Sequence, residues 1–187
     1  MNEHPILFNA EMVRAILAGT KTQTRRVIIP KLSSDIVDYR LTKDNVLYME
    51  HLAGFTTFRP RACPYGVPGD RLWVRETFSI VSDGEKTGVC FRVDGEEQID
   101  RGQGECWKPS IFMPRWASRI TLEIVNVRVE RVQDICERDL KAEGCPEEWQ
   151  ELYLQDWFAF LWNSINAKRG YGWDTNCYVW VLTFKVV

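Results

Sequence analysis

The stretch ITLEIVNVRVERV (120–132) decides the fold class of this chain. Its apolar residues first occupy even positions and then odd ones: Ile120, Leu122, Ile124, Val125, Val127 and Val129. Alternation over this length is typical of a long β-strand with one face buried. The change of parity between Ile124 and Val125 predicts a β-bulge or bend in the strand.

Further strands are predicted on both sides of this stretch. They are PILF (5–8), the segment from Lys21 through RRVII towards Pro30, RLWVRETF (71–78) with VCFRV (89–93) as its hairpin partner, and CYVWVLTFKVV (177–187). In RLWVRETF, Leu72, Val74 and Glu76 share one face, whereas Trp73 lies on the other. Strands therefore dominate the chain.

Three helices are predicted between these strands. Asn9 is placed to cap the first one, and Gly19 to end it. CERDLKAEG (136–144) predicts a short second helix that Gly144 closes, and Pro146 suits the first turn of a third. The third helix is predicted to bury the stripe Trp149, Leu152, Tyr153, Asp156, Trp157, Phe160 and Leu161.

The order of elements indicates a mixed α/β (α+β) fold that is mainly β. Strands interrupted this evenly do not suit a parallel α/β sheet, so we predict a small, partly closed β-barrel with flanking helices. A chain of 187 residues with 45% hydrophobic content is expected to form a single domain, 1–187. Residues 32–69 are poorly periodic and are predicted to be an insertion into that domain.

Composition limits the possible partners. The net charge of -2 gives no overall attraction to nucleic acid or membranes, so any contact with a polyanion must be local. The N-terminal residues resemble neither a signal peptide nor a membrane span, so a cytoplasmic location is expected. Six scattered cysteines without a CxxC motif and two isolated histidines predict no metal site, and no cofactor is expected. The oligomeric state is not predicted.

The segment AGTKTQTRRVI (18–28) is the main candidate for a site. It places one lysine, three threonines and two arginines between the first helix and the next strand. Cations at the C-terminus of a helix are also favoured by the helix dipole, and threonines are common in strands. A solvated helix end followed by an edge strand is therefore the alternative explanation of this segment.

Three blocks of the chain resemble the ASCH superfamily, whose domains have a fold similar to the PUA domain. They are ILAGTKTQTRR (16–26), PYGVPGDRLWVRETF (64–78) and GYGWDTNCYVWVLTFKVV (170–187). The last two resemble its phage and prophage branch. This resemblance implies a PUA-like fold and, for some members, removal of the acyl group from N4-acylated cytosine nucleosides such as N4-acetylcytidine.

The resemblance also implies a catalytic lysine, threonine and glutamate. The family pattern G-x-K-T-x-T-x-R is matched by Gly19, Lys21, Thr22, Thr24 and Arg26. The glutamate is assigned to Glu143 in DLKAEG, with Glu137 as the alternative. In these roles Thr24 would be the nucleophile, Lys21 the base, and Glu143 the acid for the leaving nitrogen or the group that orients water.

This assignment places one condition on the backbone. Residues 21 and 24 differ by an odd number, so in a regular strand Lys21 and Thr24 would point to opposite faces. Lys21 must therefore lie in the turn that follows Gly19.

Five further residues are candidates for substrate binding. Arg26 would stabilise developing charge or hold the nucleoside, and Glu76 would point inward towards a partner such as Arg26. Trp73 and Trp116 would stack on a base, with a core role as the alternative, and Arg115 would lie at the rim of the site.

Two other functions remain open. A PUA-like module could bind RNA or a modified base without cleaving it, and a ribonuclease could use Lys21 and Arg26 on phosphate. The negative net charge favours a small nucleoside over a long RNA as the partner.

Overall fold

The structure is a computed structural model that describes residues 1–29, 36–42, 46–51, 61–82, 87–95, 107–149 and 153–187. It is a mixed α/β structure, rich in strands and with few helices. The elements are β1 (Glu3–Leu7), α1 (Ala10–Leu17), β2 (Gln23–Val27), β3 (Ile36–Leu41), β4 (Val46–His51), β5 (Arg61–Ala62), β6 (Arg71–Arg75), β7 (Phe78–Ser82), β8 (Thr87–Phe91), β9 (Thr121–Arg131), α2 (Glu137–Ala142), α3 (Leu154–Asn166) and β10 (Tyr178–Val186).

The main sheet has five strands in the order β1-β6-β9-β10-β2. The first pair, β1 and β6, is parallel, and the remaining pairs are antiparallel. In the described residues β1 and β2 lie at opposite edges and do not pair, so the sheet is open there and no closed barrel is found. The predicted mixed, mainly β class is confirmed.

The predicted bulge lies in the central pair of strands, β9 and β10. Thr183 pairs with Asn126, but the next residue, Phe184, pairs with Ile124. Val125 is therefore the extra residue of β9, and its side chain is 51% exposed. The bulge turns the buried positions of β9 from even to odd, as the change of parity in the sequence predicts.

Both faces of β10 are covered, because it lies inside the sheet with helices on either side. Its even residues, among them Trp180 and Leu182, belong to a core that also contains Val13 and Ile16 of α1. Its odd residues belong to a second core, formed by Val179 and Val181 with Leu154, Phe158 and Trp162 of α3. Strand β10 therefore connects two apolar layers.

The third helix differs from its prediction. It begins at Leu154, so Trp149 precedes it, and Leu152 lies outside the described residues. The buried face is Leu154, Phe158, Trp162 and Asn166, whereas Tyr153 is 49% and Phe160 77% exposed. The aromatic residues of α3 fit more than one helical stripe, and docking against the odd residues of β10 selects the one that is buried.

The predicted strand 71–78 is divided in two. Strand β6 ends at Arg75, Phe78 opens β7, and β8 pairs antiparallel with β7 rather than with β6. Glu76 and Thr77 lie between the two strands. The predicted partner of 89–93 is therefore wrong except at Phe78, because the hairpin forms with β7 instead of the strand 71–78. The turn of this hairpin, residues 83–86, lies outside the described residues.

The predicted insertion at 32–69 contains a second sheet of three strands, in the order β3-β4-β5. Leu47 of β4 is fully buried in the same core as Leu182. Residues 30–35, 43–45 and 52–60 lie outside the described part of the chain. The division into one domain with an insertion stays a prediction.

We predict that Leu182→Ala lowers the free energy of unfolding by about 2–5 kcal/mol, because it leaves a cavity beside residues that cannot close around it. Leu182 is 0% exposed, whereas Val186 in the same strand is 53% exposed. Urea denaturation followed by circular dichroism measures the change. The control, Val186→Ala, should change the free energy by less than about 0.5 kcal/mol. Equal losses in the two variants would contradict the described burial.

Candidate functional site

Lys21 lies in the turn between α1 and β2, as the assignment of the site requires. Asn9 caps α1 by accepting a hydrogen bond from the Met12 amide at 2.8 Å, and Gly19 ends the helix at a φ of 75°. The Lys21 amide then donates to the Ala15 carbonyl at 3.0 Å, before β2 begins at Gln23. Lys21 therefore precedes β2, and the alternation of side chains between the two faces of that strand does not determine its direction.

Glu143 meets Lys21 from the far end of the chain. It caps the C-terminus of α2, and its backbone forms an isolated antiparallel bridge with that of Lys21. The Lys21 amine donates to Oε2 and to the backbone oxygen of Glu143, both at 2.7 Å. The two residues are only 1% and 4% exposed. Gly144 follows at a φ of 87°, and a Cβ there would lie 3.0 Å from Cβ of Lys21.

Burial changes the acidity of the Lys21 amine. Loss of water favours the neutral form and lowers the pKa, whereas attraction and hydrogen bonding to Glu143 raise it. The positive charges of Arg26 and Arg25 lower it further. The pKa of Lys21 is below the ordinary value of a lysine as a result.

A buried ionic cluster holds the other side of the Glu143 carboxylate. Arg25 Nη1 donates to Oε1 of Glu143 at 3.2 Å and to Gln23 at 2.7 Å. Its Nη2 donates to Asp139 and to Glu130, both at 3.0 Å. Both oxygens of Glu143 are therefore bound to cations, one to Lys21 and one to Arg25.

Arg128 completes this cluster by binding Asp139 and Glu130. Burial raises the pKa of the Asp139 carboxyl. Attraction to Arg128, together with a hydrogen bond and attraction to Arg25, lowers the pKa by more. The pKa of Asp139 is therefore below its ordinary value. Asp139 is a permanent anion at neutral pH and fixes Arg25 beside Glu143.

A pocket of about 260 Å³ opens at the edge of the sheet beside β2. Thr24, Arg25, Arg26 and Glu143 contribute polar groups to its wall. Aromatic side chains also line it: Tyr65, Phe158 and Trp162. The described lining thus combines hydroxyl and carboxylate groups and positive charge with flat apolar surfaces, a composition that suits a small polar ring.

The structure brings four predicted site residues together. Thr24, Arg26 and Glu143 line the pocket, and Lys21 lies behind the wall, in contact with Glu143. Arg26 lies over the Phe8 ring at 5.0 Å, and its Nη2 donates to the Leu7 carbonyl at 2.7 Å.

The alternative glutamate does not reach this site. Glu137 lies one and a half turns earlier, with its side chain 56% exposed, and pairs with Lys141 at 2.7 Å. Of the two glutamates, Glu143 is the one that Lys21 and Arg25 bind.

Glu76 lies elsewhere. It is 2% exposed and forms a two-pronged ion pair with Arg119, each contact at 3.1 Å, instead of meeting Arg26. Burial raises the pKa of Glu76 above its ordinary value, although Arg119 acts against this. Arg119 also binds Asp94 at 2.7 Å, so this group joins β6 to the segment after β8.

The remaining three candidates also lie outside the pocket. Trp73 is 8% exposed in β6, with Arg75 at 4.6 Å from its ring centre. Arg115 pairs with Glu3 at 2.8 Å, and Trp116 is 63% exposed beside it. Trp73 and Arg115 therefore contact β1 instead of the pocket.

Sequence reasoning missed the cluster around Arg25. The sequence shows only that every residue from Thr20 to Arg26 is polar or charged, which does not distinguish the buried Gln23 and Arg25 from their neighbours. The partners Glu130 and Asp139 are more than 100 residues away, so no local pattern connects them to Arg25.

Two searches cover only the described ranges. Within them, no group of three or more His, Cys, Asp or Glu residues is placed to hold a metal ion. No helix in the described part of the chain is both long and apolar enough to cross a membrane.

Comparison with known proteins gives one similarity. No family model and no curated protein matches the chain. Among solved structures, the chain is similar to the crystal structure of an ASCH domain from Lactobacillus crispatus JV V101, with 11% sequence identity and a TM-score of 0.43. The match covers 99% of this chain and 79% of that one. Similarity at this level says nothing about the activity of this chain.

We predict that Arg25→Met lowers the free energy of unfolding by about 3–5 kcal/mol, because it leaves three carboxylates around a buried position without their common cation. Chemical denaturation at neutral pH measures the loss. The control is Arg138→Met, since the Arg138 side chain is 89% exposed and only 3.9 Å from Asp139. A comparable loss in the control would show that the cluster adds nothing specific.

We also predict that the stability contributed by Asp139 disappears in acid. Its pKa is lowered on folding, so this contribution is full above the ordinary aspartate pKa, about 3.9, and is lost as the pH falls through the folded value. Denaturation curves at a series of pH values should show a smaller acid-induced loss in Asp139→Asn than in the wild type. Parallel pH dependences in the two proteins would refute this linkage.

Proposed function

We propose that this protein is an amidohydrolase that removes the acyl group from N4-acylated cytosine nucleosides, such as N4-acetylcytidine, without a metal or cofactor. Lys21, Thr24 and Glu143 are its catalytic residues. The observation that carries the proposal is that Thr24 and Glu143 line one pocket, while Glu143 holds the buried Lys21 amine at 2.7 Å.

The first step uses the lowered pKa of Lys21. Transfer of one proton from the amine to Glu143 within the pair leaves a neutral amine and a carboxylic acid. The amine then turns from the Glu143 carbonyl to Thr24 and accepts its hydroxyl proton as Oγ1 attacks the acyl carbon. Positive charge from Arg26 on the pocket wall stabilises the oxygen anion that forms.

The second step releases the cytosine. The bond between the acyl carbon and N4 breaks, and N4 takes the proton from Glu143, which restores the carboxylate and the ammonium. Thr24 then carries the acyl group as an ester. Water, deprotonated by the same pair, attacks this ester, and Thr24 regains its proton as the carboxylic acid leaves.

The pocket has the size and lining for the base. Its volume of about 260 Å³ is just below the range of roughly 300–1,000 Å³ for sites that hold drug-sized ligands, and suits one small ring. Tyr65, Phe158 and Trp162 offer flat apolar surfaces to a pyrimidine. The charged wall faces the same space and meets the polar edge of the ring.

A second candidate function is a module that binds RNA or a modified base without cleaving it. One observation favours it: the Lys21 amine donates to both a carbonyl and a carboxylate of Glu143, which is the arrangement of a fixed ammonium. In that case the Lys21–Glu143 ion pair would shape the pocket, and Thr24 would only donate a hydrogen bond to the ligand. Ribonuclease activity, a PUA-like fold, a phage or prophage origin and a cytoplasmic location stay predictions.

The test measures release of cytidine from N4-acetylcytidine by the wild type and by Lys21→Ala, Thr24→Ala and Glu143→Gln. We expect each variant to lose about 10²–10⁴-fold in kcat/KM, because each removes a proton-transfer group or the nucleophile. The lowered pKa of Lys21 should bring the alkaline rise of the rate below pH 10.4, the ordinary lysine value.

Thr22→Ala is the matched control, since Thr22 is the exposed threonine between Lys21 and Gln23 and does not line the pocket. It should retain wild-type turnover. Binding of cytidine without any turnover by the folded wild type would leave the binding module as the function, and cleavage of single-stranded RNA would instead identify a ribonuclease.

A further inference from the structure

A second cavity continues from the pocket across the protein surface. It is an open groove of about 950 Å³ between the start of α1, the segment after β8 and the end of α3. It shares Arg26 and Arg169 with the pocket, together with three apolar residues, Leu7, Met12 and Ile165. A ligand that fills the pocket can therefore extend into the groove past these two arginines.

The described lining of the groove is positive. Its charged members are four arginines and one glutamate: Arg14, Arg26, Arg92, Arg169 and Glu11. The chain as a whole carries a net charge of -2, so this concentration of positive charge is local. Such a surface attracts anions at short range although the protein as a whole does not.

Three of these arginines have no carboxylate partner among the described residues. Arg26 donates to the Leu7 carbonyl, and Arg169 is 3.5 Å from the amide oxygen of Asn166. Within the described part of the chain, neither these two nor Arg14 has a carboxylate at ion-pair distance. Arg26 Nε is buried without an acceptor. Burial lowers the pKa of Arg26, and repulsion from Arg169 adds to this effect. An anion between Arg26 and Arg169 would relieve their repulsion.

Neutral polar groups accompany the charges. Asn9, Thr77 and Ser110 also line the groove. Side chains of these types, together with arginine, commonly bind phosphate oxygens and sugar hydroxyls. Arginine in particular offers paired N–H groups that match two oxygens of a phosphate.

We propose that the groove binds a phosphate group of the ligand whose base occupies the pocket, so that the substrate is a phosphorylated nucleoside. The proposal rests on the proposed function, because it takes the pocket to hold the base. Arg26 and Arg169 bind the phosphate nearest the base, and Arg14 extends the contact along the groove. The phosphate belongs either to a mononucleotide or to a nucleic acid strand.

The experiment compares binding of two product-like probes, cytidine and cytidine 5′-monophosphate, by isothermal titration calorimetry at low salt. We expect the monophosphate to bind at least about tenfold more tightly, since each hydrogen bond to a charged group is worth about 1.5–3 kcal/mol. The preference for the monophosphate, taken as the ratio of the two affinities measured in the same variant, should be lost in Arg14→Gln/Arg169→Gln.

Lys168→Gln is the matched control. It removes a positive charge next to Arg169 from an exposed side chain that lines neither cavity, and it should keep the preference for the monophosphate. Equal affinities for the two probes in the wild type would overturn the proposal. So would a preference that survives in the double arginine variant or that Lys168→Gln also removes.

A third probe, a single-stranded RNA of about ten nucleotides, separates the two sources of phosphate. If the RNA binds more tightly than the monophosphate, the groove is assigned to a strand. The slope of the logarithm of the affinity against the logarithm of the salt concentration should then fall by about 0.7 for each phosphate contact removed. Binding no tighter than the monophosphate assigns the groove to a mononucleotide. Failure of the proposed function is a different result, in which the preference for phosphate is present but neither N4-acetylcytidine nor its 5′-monophosphate is turned over.

Discussion

The ion pair between Lys21 and Glu143 is the constraint on which the site depends. Two charges removed from water cost several kcal/mol each unless every polar atom finds a partner. The Lys21 amine meets this demand with two oxygens of one residue, and the Glu143 carboxylate with Lys21 and Arg25. Because Gly144 allows close approach, the end of α2 can lie directly against the turn before β2. This contact joins residues that are 122 positions apart.

The position of β2 at the sheet edge explains why a pocket exists there. An interior strand such as β10 has neighbours on both sides, and its side chains fill two apolar cores. Among the described strands, β2 has one neighbour, β10, and the pocket opens beside it. Its odd residues, Gln23 and Arg25, belong to the ionic cluster, and Arg25 also reaches the pocket wall. Its even residues, Thr24 and Arg26, line the pocket.

Arginine side chains are paired with carboxylates in the cluster behind the pocket, but in the groove in front of it Arg26 and Arg169 have no such partner among the described residues. Arg25 is surrounded by carboxylates and is buried, so it is not free to bind an anion and serves to hold Glu143. Arg26 and Arg169 lack such partners in the described residues and lie where a ligand can reach them. Positive charge without a carboxylate partner among the described residues favours the binding of an anion at the groove, whereas paired charge serves structure in the cluster.

The sequence by itself determined the features that depend on neighbouring residues. The cap at Asn9, the helix ends at Gly19 and Gly144 and the bulge at Val125 follow from local backbone preferences and from the period of apolar residues. Only the tertiary structure decided which face of α3 is buried, where the strand 71–78 divides and that Arg119 is the partner of Glu76. These outcomes depend on packing and on charges distant in sequence, which no local pattern records.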